Sequence, residues 1–258
     1  MMLKGKRVII TGATSGLGLA MTEALLRQGA SVAISARPTP RLQSTVQHFR
    51  EQGLDAEALP MNVRDEQSVE SAKEEILRRW STIDMVVNNA GLGMRTVNPD
   101  FLSHPLPFFQ VSPEKFDAVL ETNLRGYFLV SRVFAPVFIH QGGGRFVNIS
   151  MNHETMVRKG FVPYGPSRAG AESLTRIMAR DLESYGITVN MLLPGGATLT
   201  GMIPDEISPE IRSHLLEPAI MGPPIVFLAS DQAEGISDER IEANHFKEWC
   251  EAHGITNQ

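Results

Sequence analysis

Cysteine is almost absent: Cys250 is the single one in 258 residues, so no disulfide can form within the chain and no cysteine cluster can hold a metal. A reducing compartment suits such a composition. Long apolar runs are missing too, and no stretch approaches the roughly 18 residues that a membrane span needs. Met1 to Arg7 is basic, but only Val8 to Ile10 follow as an apolar run before Thr11-Gly12, too short for a secretory leader. No basic block is present either. The net charge of −5 is mild and spread along the chain, which argues against nucleic acid as a partner. Repeats, low-complexity tracts and linkers are also lacking. With 42% hydrophobic and 21% charged residues, the expectation is a soluble cytoplasmic protein with one large domain over 1–258.

What is present is an alternation of strand and helix signals. The β-branched run Val8-Ile9-Ile10 passes into Thr11-Gly12-Ala13-Thr14-Ser15-Gly16-Leu17-Gly18, and Leu19 to Gln28 then reads as a helix stopped by Gly29. Such a turn lets backbone N–H groups approach a pyrophosphate at the positive end of a helix. Strands are predicted at Ser31–Ala36, Asp55–Pro60, Ile83–Val87, Arg145–Ser150, Ile187–Leu193 and Arg240–Ala243. Helices are predicted at Arg41–Gln52, Asp65–Trp80 with Asp65 as N-cap, Pro113–Gln141 with a kink at Pro136, and Tyr164–Tyr185. The pattern predicts an α/β fold of the doubly wound Rossmann type, a central parallel sheet flanked by helices on both faces, with ligands at the carboxyl ends of its strands.

Two segments break the rhythm. A loop at about 92–112 carries Pro99, Pro105 and Pro107 among apolar residues, too apolar for an idle connection. A stretch at about 195–224, with Gly195-Gly196 and several prolines, suits a lid. Between them, Tyr164 and Arg168 stand at i and i+4 of a predicted helix, so a phenol and a fixed cation share one face. A nearby cation favours the phenolate form of such a group.

Taken together, Thr11-Gly12-x3-Gly16-x-Gly18, Asn88-Asn89-Ala90-Gly91, Asn123, Tyr164 before a cation at i+4, and Pro194-Gly195 resemble the short-chain dehydrogenase/reductase family from about Gly5 to Ala243. The resemblance implies a nicotinamide cofactor and reversible hydride transfer between a secondary alcohol and a ketone. It assigns Thr11, Gly12, Gly16 and Gly18, with Thr14, Ser15 and Leu17 between them, to the phosphate turn. Asn62 and Val63 fall at the adenine, and Asn89, Ala90 and Gly91 at the riboses. Tyr164 becomes the general acid, Asn123 the holder of a relay water, and Pro194, Gly195, Thr198 and Thr200 the nicotinamide contacts, with Thr200 the better match of the two threonines.

Three departures qualify this carry-over. Arg168 stands where the family has lysine; its charge and ribose contacts survive, but a pKa above 12 makes it a poor proton shuttle, so oxidation should suffer more than reduction. Met151 occupies the place of the carbonyl-orienting serine, which passes the role either to Ser150 or to Asn152. Ala36-Arg37 ends the second strand where a carboxylate would select NAD, so NADP(H) is favoured. The apolar loops, with Met94, Phe101, Met156, Phe161 and Met202, suggest an apolar or cyclic carbonyl substrate. Arg95 and Arg158 are candidate carboxylate ligands, although solvation is their commoner use. The resemblance also implies a homodimer or homotetramer packed through the helices after Pro113 and Tyr164. The competing reading is a dinucleotide-binding sensor with little turnover.

Overall fold

Val8, Ile9 and Ile10 have no exposed surface, as a strand covered by helices on both faces requires. The structure is a computed structural model describing residues 2–204, 207 and 209–255. Seven strands, β1 (Arg7–Thr11), β2 (Ser31–Ala36), β3 (Ala56–Pro60), β4 (Met85–Asn88), β5 (Gly144–Ile149), β6 (Ile187–Leu193) and β7 (Arg240–Glu242), form one sheet in the order β3-β2-β1-β4-β5-β6-β7. Every pairing is parallel, with Ile9 opposite Ala33 on one side and Val86 on the other.

Because side chains alternate across a strand, the sheet feeds two cores. Val8, Ile10, Val32, Ile34, Met85 and Val87 pack under α1 (Gly16–Arg27) and α2 (Pro40–Glu51), whereas Ile9, Ala33, Val86 and Phe146 pack under α3 (Glu66–Arg79) and the later long helices. Asp65 caps α3 by accepting from the Gln67 N–H at 3.1 Å. The strand order reverses between β1 and β4, and a crevice opens there at the carboxyl ends.

Three expectations are corrected. The helix expected over Pro113–Gln141 is α5 (Pro113–Leu120), a π turn (Glu121–Arg125) and α6 (Gly126–Gln141), so the irregularity falls at Asn123, ahead of Pro136. The 92–112 loop folds a short helix, α4 (Met94–Val97), and builds a core of its own from Met94, Val97 and Phe101 against Val119, Met151, Met156 and Phe161. Those residues pack largely on each other. After the short α7 (His153–Met156), the long α8 (Tyr164–Leu182) and the short α9 (Pro209–Ser213), the segment that begins at Gly222 is α10 (Gly222–Ala229), buried against α1. Pro223 and Pro224 read as loop in sequence, but prolines in a helix's first turn lack only N–H groups that have no helical partner. Met221, near the end of the stretch expected as a lid, is fully buried; Asp205, Glu206 and Ser208 in that stretch lie outside the described residues.

The tail forms α11 (Phe246–Ala252), whose Phe246 and Trp249 pack on Phe227 of its own chain with ring centroids 5.6 and 5.7 Å apart. Among the described residues no helix is long and apolar enough to cross a membrane.

Candidate active site

The glycine turn follows β1 into the N-terminus of α1, where unpaired N–H groups and the helix dipole favour an anion. Gly12 has φ +65°, and a Cβ on it would lie 2.8 Å from the Ala90 Cα. A Cβ on Gly18 would stand 2.5 Å from both Asn89 Nδ2 and the Gly12 carbonyl oxygen. Only glycine fits this cradle. Asn89 Nδ2 donates to the carbonyls of Thr11 and Gly12 at 2.9 and 3.1 Å, and the Thr11 hydroxyl accepts from the N–H groups of Asn89 and Ala90. Thr11 is thus a buried joint between the two turns, and it shapes the cleft without lining it.

The cleft holds about 1220 Å³. Gly12, Thr14, Ser15, Gly16, Leu17 and Gly18 line one part; Arg37, Asn62 and Val63 another; and Asn89, Ala90, Gly91, Ser150, Asn152, Tyr164, Arg168, Pro194, Thr198 and Thr200 the rest. Gly195 and Asn123 do not. Gly195 lends its carbonyl to Asn152 and Asn244, at 3.0 and 3.3 Å. Asn123 is fully buried in the π turn: its Oδ1 accepts from the Leu92 N–H, and its Nδ2 donates to the Leu92 carbonyl and to Ser167. Its carboxamide anchors the β4 turn rather than facing the cleft. Of the two threonines, Thr198 is buried and donates to the Gly196 carbonyl, while Thr200 lies 3.3 Å from the position of a Cβ on Gly16, over the phosphate turn.

At the adenosine end Arg37 is exposed, and Asn62 Oδ1 accepts from the Arg64 N–H. Arg41, on α2, brings a second cation that the sequence did not advertise: its Nε donates to the Thr14 carbonyl at 3.1 Å.

The opposite end is built on α8. Tyr164 is half-buried against the satellite core, and the Arg168 guanidinium carbon lies 5.2 Å from its ring centroid. Arg168 itself is buried, with Nη1 donating to the Tyr127 hydroxyl at 2.6 Å and the Ile149 carbonyl at 2.7 Å. Its Nη2 points to Gly91, where a Cβ would come within 2.7 Å. Burial works against the Arg168 charge, yet the oxygens of Tyr127 and Tyr164 outweigh it, and the guanidinium titrates above its ordinary range. Burial pushes the Tyr127 phenol up as well, against the pull of Arg168, so Tyr127 stays a neutral hydroxyl. Tyr127 went unnoticed in the sequence, although it stands four residues after Asn123.

Met151 is buried in the satellite core, as its apolar side chain demands. Ser150 donates its hydroxyl to Glu172 Oε1 at 2.5 Å, and Glu172 also accepts from Arg240 Nε at 3.1 Å and lies 3.1 Å from His153 Nε2. Arg240 holds the Met151 carbonyl at 2.8 Å. The signal for this clamp was a helical stripe, Tyr164, Arg168 and Glu172, four residues apart. Asn152 donates one N–H to the Gly195 carbonyl, which leaves the second N–H outside the described hydrogen bonds.

Known proteins share this fold. The family model described as short chain dehydrogenase matches residues 6–210. A 3-oxoacyl-[acyl-carrier-protein] reductase of Staphylococcus aureus is 27% identical over 249 residues, 93% of this chain and 96% of that one. Among solved structures, a gluconate 5-dehydrogenase from Burkholderia cenocepacia in complex with NADP and tartrate superposes with TM-score 0.82 at 25% identity, covering 95% of this chain and 96% of the other. A 3-ketoacyl-(acyl-carrier-protein) reductase from Brucella melitensis complexed with NADH gives 0.81 at 28% identity, covering 93% and 97%. The chain belongs to the short-chain dehydrogenase/reductase family, as a Rossmann-fold oxidoreductase that interconverts CH–OH and C=O groups with a pyridine nucleotide.

Proposed function

We propose that the protein is an NADP(H)-dependent carbonyl reductase or alcohol dehydrogenase in which Tyr164 handles the proton. The observation that carries this reading is one continuous cleft with the glycine cradle at one end and Tyr164 beside a buried cation at the other. The glycines at 12, 16 and 18 and the α1 N-terminus fit a pyrophosphate, and Asn89, Ala90 and Gly91 fit the riboses. When bound, the nicotinamide supplies or accepts the hydride. Tyr164 gives its phenolic proton to the carbonyl oxygen during reduction and takes it back during oxidation. Asn152 orients the carbonyl through its remaining N–H, because Ser150 is engaged by Glu172 and Met151 has no donor. Arg168 presents Nη2 toward Gly91 for a ribose hydroxyl.

NADP(H) selection rests on Arg37 and Arg41, two cations where a 2′-phosphate would lie, with no carboxylate at Ala36. Saturating NADPH should raise the melting temperature by roughly 5–10 °C, from about 2.7 kcal/mol at 100 times Kd and ~2–4 °C per kcal/mol, and NADH by less. Replacing both arginines with alanine should weaken NADPH binding about 10- to 100-fold and leave NADH unchanged. Equal loss for the two cofactors would sink the phosphate assignment.

We also read the chain as a cytoplasmic homodimer or homotetramer. Within the stripe Leu174, Ile177, Met178 and Leu182, the core takes Met178 and Leu182, whereas Ile177 is 54% exposed; Phe128 on α6 is 46% exposed. Those two aromatic and aliphatic side chains on the long helices support a helix-on-helix dimer. Light scattering should find an oligomer that Phe128→Glu with Ile177→Glu splits to monomers; a monomeric parent would remove the reading.

A further inference from the structure

The cleft's charge does not match the chain's. A protein of net charge −5 lines this cavity with six arginines and, among the described residues, one carboxyl group, Glu23. Four of the six have evident work. Arg37 lines the adenosine end, Arg41 bonds the Thr14 carbonyl of the phosphate turn, Arg64 pairs with Glu121, and Arg168 is buried between Tyr127 and Tyr164. Arg95 donates to the carbonyls of Gly201 and Ile203 and so braces the segment after Thr200.

Arg158 is different. It is exposed, and its guanidinium carbon lies 5.3 Å from the Phe161 ring centroid, a stacking that fixes the group without using its N–H donors. No hydrogen bond or ion pair among the described residues uses them. The stacking partner is itself immobile: Phe161 is buried, meets Phe101 edge-on at 5.7 Å, and accepts from the Gly165 N–H at 2.7 Å. The turn that seats Arg158 therefore runs directly into Tyr164. Thr155 and Asn152 line the same side of the cleft and add polar groups.

We propose that Arg158 is a substrate-binding residue that takes the carboxylate of an oxo acid, or of the corresponding hydroxy acid, by a bidentate contact. The inference rests on the carbonyl-reductase reading and names its substrate class. Around that anion site the walls are mixed: Met94, Phe101, Leu102, Phe161, Met202 and Ile203 contribute apolar surface for the carbon skeleton. A planar fork already stacked on an aromatic ring loses little freedom when it binds, which favours a carboxylate over a neutral ester of the same length.

The test uses the whole chain with NADPH and a panel of oxo acids of about four to eight carbons, each with its methyl ester. The acids should be reduced with kcat/KM about 10- to 100-fold above the esters, mostly through KM. Arg158→Ala should remove that advantage while leaving the esters unchanged, and Arg158→Lys should restore part of it, since an ammonium keeps the charge but loses the fork. Esters reduced as well as acids, or a variant that lowers both equally, would overturn the proposal. An acyl thioester preferred over every free acid would also overturn it. A second readout separates this inference from the reaction it rests on: saturated alkanoates of the same lengths should raise the melting temperature of the parent but not of Arg158→Ala. Stabilisation of that kind with no turnover of any ketone would keep the anion site and remove the reductase reading; turnover without it would do the reverse.

Discussion

Tyr164→Phe should lower kcat for ketone reduction by about 10²- to 10⁴-fold, the usual loss when a positioned general acid is removed, while NADPH still raises the melting temperature as in the parent. The substitution is conservative everywhere except at one oxygen. The ring is half-buried against the small core that contains Met151, Met156 and Phe161, and phenylalanine keeps that packing. On α8 the phenol oxygen acts only on the Arg168 charge, which Tyr127 also holds, while the Ser167 hydroxyl bonds the Tyr164 backbone carbonyl at 2.7 Å and Gly165 N–H bonds the Phe161 carbonyl. The expected result is thus an enzyme that folds, binds cofactor and turns over slowly. A variant retaining more than a tenth of the parent activity would take the proton-donor role from Tyr164. Loss of NADPH binding in the same variant would mean that the hydroxyl serves the ribose first and the proton second.

How much of this was open to reading from sequence depended on whether a residue's job is local. The glycine cradle, the N-cap at Asp65 and strands β2 and β6 follow from neighbours in the chain, and the structure has them where pattern places them. Arg41 was invisible for the opposite reason: it reaches the Thr14 carbonyl from the next helix, 27 residues on, and nothing in a turn's own sequence reports a visitor. Asn123 was legible as important, but the bonds of its carboxamide were not. A fully buried carboxamide bonded three ways serves to hold Leu92 and Ser167 in place, and the π turn it occupies is what the helical pattern could not show. The proposal of Asn152 over Ser150 likewise lay beyond the sequence, because it rests on Glu172, a carboxyl group two helical turns beyond Tyr164 that accepts from the serine hydroxyl. Helix α10 was missed because Pro223-Pro224 punctuates loops and opens helices alike.

Arg168→Lys should raise kcat for oxidation about tenfold or more relative to kcat for reduction, with the Michaelis constants shifting so that the overall equilibrium is unchanged. Reduction starts from the protonated phenol, and the proton that Tyr164 gives to the carbonyl oxygen is replaced from solvent after each turnover. Oxidation needs Tyr164 to lose its proton and pass it on, and a guanidinium held above its ordinary range by two phenol oxygens has none to exchange. Lysine restores an exchangeable proton. It also gives up the fork that bonds Tyr127 and the Ile149 carbonyl from one nitrogen while turning the other nitrogen to Gly91. An ammonium can keep one of those two bonds, and losing the other costs about 1.5–3 kcal/mol, so the variant should melt roughly 3–12 °C lower at ~2–4 °C per kcal/mol. Tyr127→Phe separates the two effects. In the parent it should cost a comparable amount of stability and raise KM for NADPH, because the guanidinium loses one of its two anchors; in the Arg168→Lys background it should cost much less, since the partner it served is gone. Stability and the direction ratio measured on the four proteins give the coupling directly. Additive losses would mean that Tyr127 merely fills space, and equal changes in oxidation and reduction would mean that Arg168 acts on Tyr164 by charge alone.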